Sequence, residues 1–240
     1  MASRFFVEGK HAAGDVVALD ASDARKVTAV LRMGAGDEIE AIDSASQRFR
    51  ARVEIDGADV RARLLELRAS DARTSRRIVV AQGIPKGQKM DFVVEKLTEL
   101  GAAAIVPLRT SRTVADASPA KLDRWRRLAK AAAMQCGRAD VPAIEDPVDV
   151  AALVARAKDA VTLVPWEAAD PVPLRDRLVG LVGEARDLLV AIGPEGGFSS
   201  DEIAALEAAG AHTISLGRRI LRTETAALAM LSMLEYALAE

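Results

Sequence analysis

Gly193-Pro194-Glu195-Gly196-Gly197-Phe198-Ser199 and Leu216-Gly217-Arg218-Arg219-Ile220-Leu221-Arg222-Thr223-Glu224-Thr225-Ala226 are two loops of unusual composition, lying close together in the chain. Each follows an apolar run with the length of a buried strand, Leu188-Leu189-Val190-Ala191-Ile192 and Thr213-Ile214-Ser215-Leu216, and each precedes a helical pattern. Both loops therefore belong at the carboxyl ends of strands, where open α/β sheets bind ligands. The glycines of the first loop let backbone approach a ligand closely, and Pro194 stiffens the turn. Ser199-Ser200-Asp201-Glu202 has the spacing of a capping box, with Ser199 as N-cap and Glu202 reaching back, and Gly210 is placed to stop the helix.

The first loop lacks the Gly-Lys-Ser/Thr ending of a P-loop and the Gly-x-Gly-x-x-Gly spacing of a dinucleotide fingerprint. A carboxylate at Glu195 would repel a pyrophosphate, so a nucleoside without phosphates suits it better. S-adenosylmethionine, an adenosine bearing a sulfonium and an ammonium, is such a ligand. A strand-to-helix turn with no ligand reads a single loop of this kind equally well. Two such loops on successive strands shift the reading toward binding.

Working outward, Ile78-Val79-Val80-Ala81, Ile105-Val106-Pro107-Leu108 and Val161-Thr162-Leu163-Val164 are further buried strands. Helical patterns separate them: Met90 to Leu100, stopped by Gly101, and a helix opening at Ser118-Pro119. In the latter, Leu122, Trp125, Leu128, Ala129 and Ala132 share one face, while Arg124, Arg126, Arg127 and Lys130 offer a basic surface to phosphates. Alternating strands and helices predict a parallel sheet covered on both faces. The last helix, Glu224 to Ala239, is apolar nearly all round and is expected to be buried on most sides. Before Ile78 the pattern is different. Phe49, Ala51, Val53 and Ile55 alternate with polar residues, Asp56-Gly57 offers a hairpin turn, and Val60, Ala62 and Leu64 alternate back. A short helix is expected from Ser22 to before Gly34, and Ala69 to Ser75 reads as a linker.

The net charge of −2 conceals an asymmetry: residues 76–138 carry 13 Lys/Arg against 5 Asp/Glu, and residues 139–240 carry 8 against 17. A basic middle beside an acidic ligand region suits separate surfaces for a polyanion and a cationic cofactor, although an ordinary solvated face gives the same count. One cysteine excludes internal disulfides, and His11 and His212 alone supply no zinc constellation, so no metal is expected. The opening residues lack the apolar core of a signal peptide, and Ala226 to Leu234 is too short to span a bilayer. A cytoplasmic protein with no membrane partner is the expectation.

The two loops together resemble the signature of bacterial 16S ribosomal RNA (uracil-N3) methyltransferases, members of the SPOUT class. The likeness extends along the chain through Arg4-Phe5-Phe6-Val7, Val30-Leu31-Arg32-Met33 with Gly36-Asp37, and Lys86-Gly87 with Met90-Asp91. It continues through Lys96-Leu97-Thr98-Glu99-Leu100-Gly101, Ser111-Arg112, Gln135, Gly137-Arg138 and Val141-Pro142. The chain departs from the family pattern where acidic residues and a serine are usual, at Ala131, Met134 and Cys136.

The resemblance implies a PUA-like RNA-binding β-barrel over residues 1–73. After it, over residues 74–240, comes a SPOUT-type parallel-sheet methyltransferase domain with a C-terminal trefoil knot, working as a homodimer. It implies S-adenosylmethionine as cofactor, held by Pro165, Trp166 and Glu167, by Ile192, Gly193, Pro194, Glu195, Gly196 and Gly197, and by Leu216, Gly217, Ile220, Leu221, Thr225 and Ala226. Trp166 reads equally as a lid or as packing. The implied substrate is one decoding-region uridine of 16S rRNA in the small ribosomal subunit. Methylation at N3 needs an unpaired base, loss of a weakly acidic proton and an in-line nitrogen about 3–3.5 Å from the methyl group. Arg222 and Arg138 are candidates to stabilise the developing anion or hold phosphate. Glu224 is a candidate base or partner of Arg222, or else an acidic residue favoured by a helix amino terminus. Arg4, Arg32, Lys86, Lys89 and Arg112 are the expected RNA contacts. Two other functions fit: a SPOUT enzyme acting on another RNA such as tRNA, and a non-catalytic RNA-binding ribosome-assembly factor.

Overall fold

A computed structural model describes residues 3–57, 59–68, 77–170, 178, 181 and 187–238. The chain divides into two compact units, Met1–Arg73 with Ala133–Asp140, and Thr74–Ala132 with Val141–Glu240. The stretch read as a linker, 69–75, lies outside the described residues, as does position 239 of the last helix.

Period-two patterning builds the first unit. Strands β1 (Arg4–Phe6), β2 (Val16–Ala18), β3 (Glu38–Ile42), β4 (Arg48–Asp56) and β5 (Asp59–Arg68) form one sheet in the order β1-β3-β4-β5-β2. Only the β1–β3 pairing is parallel. Phe49, Ala51 and Val53 on β4 and Val60, Ala62 and Leu64 on β5 point into a shared core with Phe5, Val27 and Ile39. Gly57, at φ +60°, carries the expected hairpin turn. The helix α1 (Ala21–Arg25) starts one residue earlier than read. Asp20 caps it, accepting from the Asp23 N–H at 2.8 Å, and the chain continues as a π-helical turn over Lys26–Val30.

In the second unit, strands β6 (Arg77–Gly83), β7 (Ala104–Arg109), β8 (Ala143–Ile144), β9 (Val148–Asp149), β10 (Val161–Pro165), β11 (Asp187–Ile192) and β12 (His212–Ile214) form a seven-stranded sheet. Its order is β12-β10-β11-β6-β7-β8, with β9 also on β7, and every pairing is parallel. The helices are α2 (Lys89–Glu99), α3 (Pro119–Cys136), α4 (Val150–Ala157), α5 (Ser200–Ala208) and α6 (Thr223–Leu238). Successive residues of a strand feed opposite cores. Ile78 and Val80 on β6, with Leu188, Val190 and Ile192 on β11, pack with residues of α2, α3 and α6. Ala81, Leu189 and Ala191 pack with residues of α4 and α5. Burial on both faces is why these strands read as unbroken apolar runs.

Two expectations are adjusted. Strand β12 ends at Ile214, so Ser215 and Leu216 belong to the ligand-side loop. Helix α6 buries only one face, through Ala227, Met230, Leu231 and Leu234, while Met233 and Tyr236 are 39% and 88% exposed. Ala226, Leu228 and Leu238 pack partly against the core, and the described residues leave the face with Met233 and Tyr236 uncovered. The final turn of α3 belongs to the first unit, where Met134 joins the core of the sheet.

Candidate functional site

The three loops leaving β10, β11 and β12 converge at the carboxyl edge of the sheet around a cavity of about 400 Å³, in the size range of small-molecule sites (about 300–1,000 Å³). A smaller lobe of about 120 Å³ shares Pro165, Trp166, Glu167, Ile220, Leu221 and Ala226 with it and extends over Leu216 and Gly217. Of the residues assigned to the cofactor, Thr225 alone does not line either lobe; it faces solvent on the first turn of α6. Trp166 is half-buried, and its backbone N–H donates to the Ile214 carbonyl at 3.0 Å. That bond ties the loop after β10 to β12.

The glycine loop is held from outside through Glu195 and the Gly196 carbonyl. Glu195 accepts from the Lys86 backbone N–H at 3.1 Å and from Lys89 Nζ at 2.9 Å. Lys89 Nζ also lies 3.6 Å from Glu224 Oε2, an ion pair beyond hydrogen-bond reach. One ammonium thus bridges the glycine loop and the first turn of α6. The Gly196 carbonyl accepts from Arg112 Nη1 at 2.7 Å. Beside it the Ser111 N–H donates to Glu202 Oε1 at 2.6 Å, while Glu202 Oε2 accepts from the Ser199 N–H at 2.8 Å. The capping box read from the sequence is present, and its glutamate also holds the loop after β7.

Partial burial alone would raise the Glu195 carboxyl, but the Lys89 hydrogen bond and the backbone N–H donors outweigh it and hold it below the usual carboxylate range. Lys89 is pushed above the usual lysine range, first by its hydrogen bond to Glu195. A depressed carboxylate stabilises the fold above its unfolded pKa, near 4.3, and loses that contribution as pH falls through the lower folded value. A raised lysine contributes below its unfolded pKa, near 10.4, and loses it as pH rises through the folded value. The bridge is therefore fully charged from about pH 5 to about pH 10. The melting-temperature difference between wild type and Glu195→Gln is expected to stay constant from about pH 6 to 9 and to shrink below about pH 4. A difference that persists unchanged at pH 3 would mean Glu195 acts by shape alone.

The residues assigned to RNA and catalysis are divided between the two units. Arg222 lines the cavity and is exposed, with no ion-pair partner among the described residues. Lys89 and Arg112, read as RNA contacts, are engaged with the glycine loop. The Lys86 side chain is exposed. Arg4, Arg32 and Arg138 belong to the first unit. There Arg4 Nε bonds Glu40 at 2.6 Å, Arg138 Nη2 bonds Asp140 at 2.8 Å, and Arg32 is exposed at φ +55°. Among the described residues no His/Cys/Asp/Glu cluster could hold a metal ion, and no helix is long and apolar enough to cross a membrane.

Three positions at the site carry no role in the sequence reading. Gly83, ending β6, lies so close to the glycine loop that an added Cβ would sit 2.3 Å from Pro194 N. Gln82, fully buried, donates from Nε2 to Thr223 Oγ1 at 2.8 Å, and Thr223 Oγ1 donates to the Gly193 carbonyl at 2.6 Å. The one available signal was a glutamine closing an otherwise apolar strand, since a polar residue inside needs a partner.

A parallel sheet with a glycine-lined cavity at its carboxyl edge defines a class, and comparison with known proteins agrees with it. Residues 72–235 match the family described as RNA methyltransferase domain. The chain is 32% identical to the Ribosomal RNA small subunit methyltransferase E of Bacillus subtilis, over 86% of this chain and 84% of that protein. It is also 32% identical to the one of Mycobacterium bovis, over 95% and 88%. Among solved structures, a Legionella pneumophila protein in complex with the bound cofactor SAM superposes with a TM-score of 0.90 at 32% identity, covering 99% of this chain and 98% of that one. Ribosomal RNA small subunit methyltransferase E from Neisseria gonorrhoeae, bound to S-adenosyl methionine, superposes with a TM-score of 0.86 at 26% identity, covering 98% of both. The chain belongs to the ribosomal RNA small subunit methyltransferase E family.

Proposed function

We propose that this protein transfers a methyl group from S-adenosylmethionine to N3 of a single decoding-region uridine of 16S rRNA. The observation carrying the reading is the cavity where the loops after β10, β11 and β12 meet. Its residues fit the cofactor. The pocket offers glycine backbone and the apolar Leu221 and Ala226, and its lysine is neutralised by Glu195 and Glu224. Glu167 adds negative charge at the rim. When bound, the cofactor supplies an electrophilic methyl group on cationic sulfur.

The protein's own part is placement and charge. Arg222, without an ion-pair partner among the described residues, faces the charge that develops on the uracil oxygens as N3 loses its proton. Glu224, held by Lys89, orients the first turn of α6 rather than waiting as a free base. The first unit, residues 1–73 joined by 133–140, serves as the PUA-like RNA-binding module with Arg4, Arg32 and Arg138 as its contacts, and the rest of residues 74–240 as the methyltransferase domain. The return of the chain from edge strand β12 to pack α6 near β6 and α2 is the path a SPOUT trefoil knot requires. The uncovered apolar side chains Phe92, Met233 and Tyr236 favour a homodimer, and the enzyme works in the cytoplasm.

The test is methyl transfer from labelled S-adenosylmethionine to small ribosomal subunits lacking the modification, mapped by reverse transcription. A methyl at N3 blocks pairing, so a single strong stop at one decoding-region uridine is expected. Transfer to another RNA would replace the substrate. Bound RNA without transfer would leave a ribosome-assembly factor.

A further inference from the structure

We infer that Gln82 and Thr223 are positioning residues that set the glycine loop for cofactor binding through a one-way chain of hydrogen bonds. The inference rests on the cavity being the S-adenosylmethionine site.

A hydroxyl has one proton to give. The Gln82 side-chain amide donates to Thr223 Oγ1 at 2.8 Å and to the Gly83 carbonyl at 2.9 Å. With its oxygen taken as acceptor, Thr223 has a single direction left for its proton, the Gly193 carbonyl at 2.6 Å. That carbonyl belongs to the Gly193-Pro194 peptide, and Pro194 has no N–H with which to anchor the peptide from the other side. The orientation of this peptide plane therefore depends on Thr223.

The chain joins three separate parts of the fold: central strand β6, the loop after β11, and the first residue of α6. Gln82 is fully buried and Thr223 is 6% exposed, so water does not compete for these bonds. Gln82 Oε1 is buried without a hydrogen-bond partner among the described residues. An unpaired buried acceptor is costly, and its retention here fits a residue kept for the direction in which it donates rather than for stability.

The polarity of the chain supplies the test. Thr223→Val keeps shape and removes the proton given to Gly193; Thr223→Ser keeps the proton. Gln82→Met is close in length and has no N–H, so it removes the donor that fixes the direction of the Thr223 proton. Calorimetric titration of folded protein with S-adenosylmethionine is expected to show affinity about tenfold weaker for Thr223→Val, weaker also for Gln82→Met, and near wild type for Thr223→Ser. In methyl-transfer assays the loss is expected in KM for S-adenosylmethionine, with KM for RNA unchanged. Wild-type affinity in folded Thr223→Val, or a serine variant as weak as valine, would overturn the inference. Trp166 lines the cavity and Trp125 does not, so the fluorescence difference between wild type and Trp166→Phe is followed during the same titration. Binding that leaves Trp166 unchanged would overturn the cavity assignment itself, an outcome separate from failure of the hydrogen-bond chain.

Discussion

Gly83→Ala is expected to lower kcat/KM for S-adenosylmethionine about a hundredfold and the melting temperature by roughly 5 °C. The added Cβ would sit 2.3 Å from Pro194 N, 2.5 Å from Pro194 Cδ and 2.6 Å from Gly193 C. None of these is the end of a flexible side chain, and a proline ring cannot rotate aside. Either β6 or the glycine loop must shift by about an ångström, and a misplacement of that size costs about two orders of magnitude in rate. Gly34→Ala is the control, because a Cβ there meets nothing within 4 Å and its φ is not in the left-handed region. Comparison of the two variants by thermal melting and steady-state kinetics checks the expectation. Wild-type kinetics in Gly83→Ala would mean that the glycine loop tolerates displacement.

Arg222→Ala is expected to reduce kcat for methyl transfer by about 10²- to 10³-fold while changing S-adenosylmethionine affinity little. Arg222 lines the cavity with no carboxylate to neutralise it among the described residues, so its charge is available to a substrate anion. Lys89 is differently placed: Glu195 and Glu224 both lie against it. Glu224→Gln is accordingly expected to lower kcat less than about tenfold, since general-base work contributes about 10²–10⁴ where it operates. Single-turnover rates with saturating cofactor separate these outcomes. A larger loss for Glu224→Gln than for Arg222→Ala would reverse the assignment and make the carboxylate the principal group.

The frame of the site was legible in the sequence because it is local. Leu188 to Ile192 reads as a buried strand, Ser199 and Glu202 as a cap three residues apart, and the glycines between them as a tight turn, all within a span of fifteen residues. Phe49 to Leu64 was equally plain, since alternation and a hairpin glycine are neighbours in sequence. What holds the loop in place was not legible. Gln82 and Thr223 lie 141 residues apart, and Arg112 reaches Gly196 across 84. No spacing rule relates such pairs. Lys89 and Arg112 illustrate the limit of residue type: a basic side chain serves a phosphate or a loop carbonyl with the same chemistry, and only the fold decides which. Ala133–Asp140 joins the first unit although its neighbours on either side belong to the second, a placement that helical periodicity in α3 does not encode.

The hydrogen bond from Gln82 to Thr223 also has a consequence in time. A chain leaves the ribosome in sequence order, so β6 and the loops after β10, β11 and β12 all emerge before α6. Until α6 follows, Gln82 lacks the hydroxyl it donates to and the Gly193 carbonyl lacks its donor. Nascent chains arrested before Thr223 can form most of the sheet without a competent pocket. A chain arrested there is expected to bind S-adenosylmethionine more weakly than the finished protein.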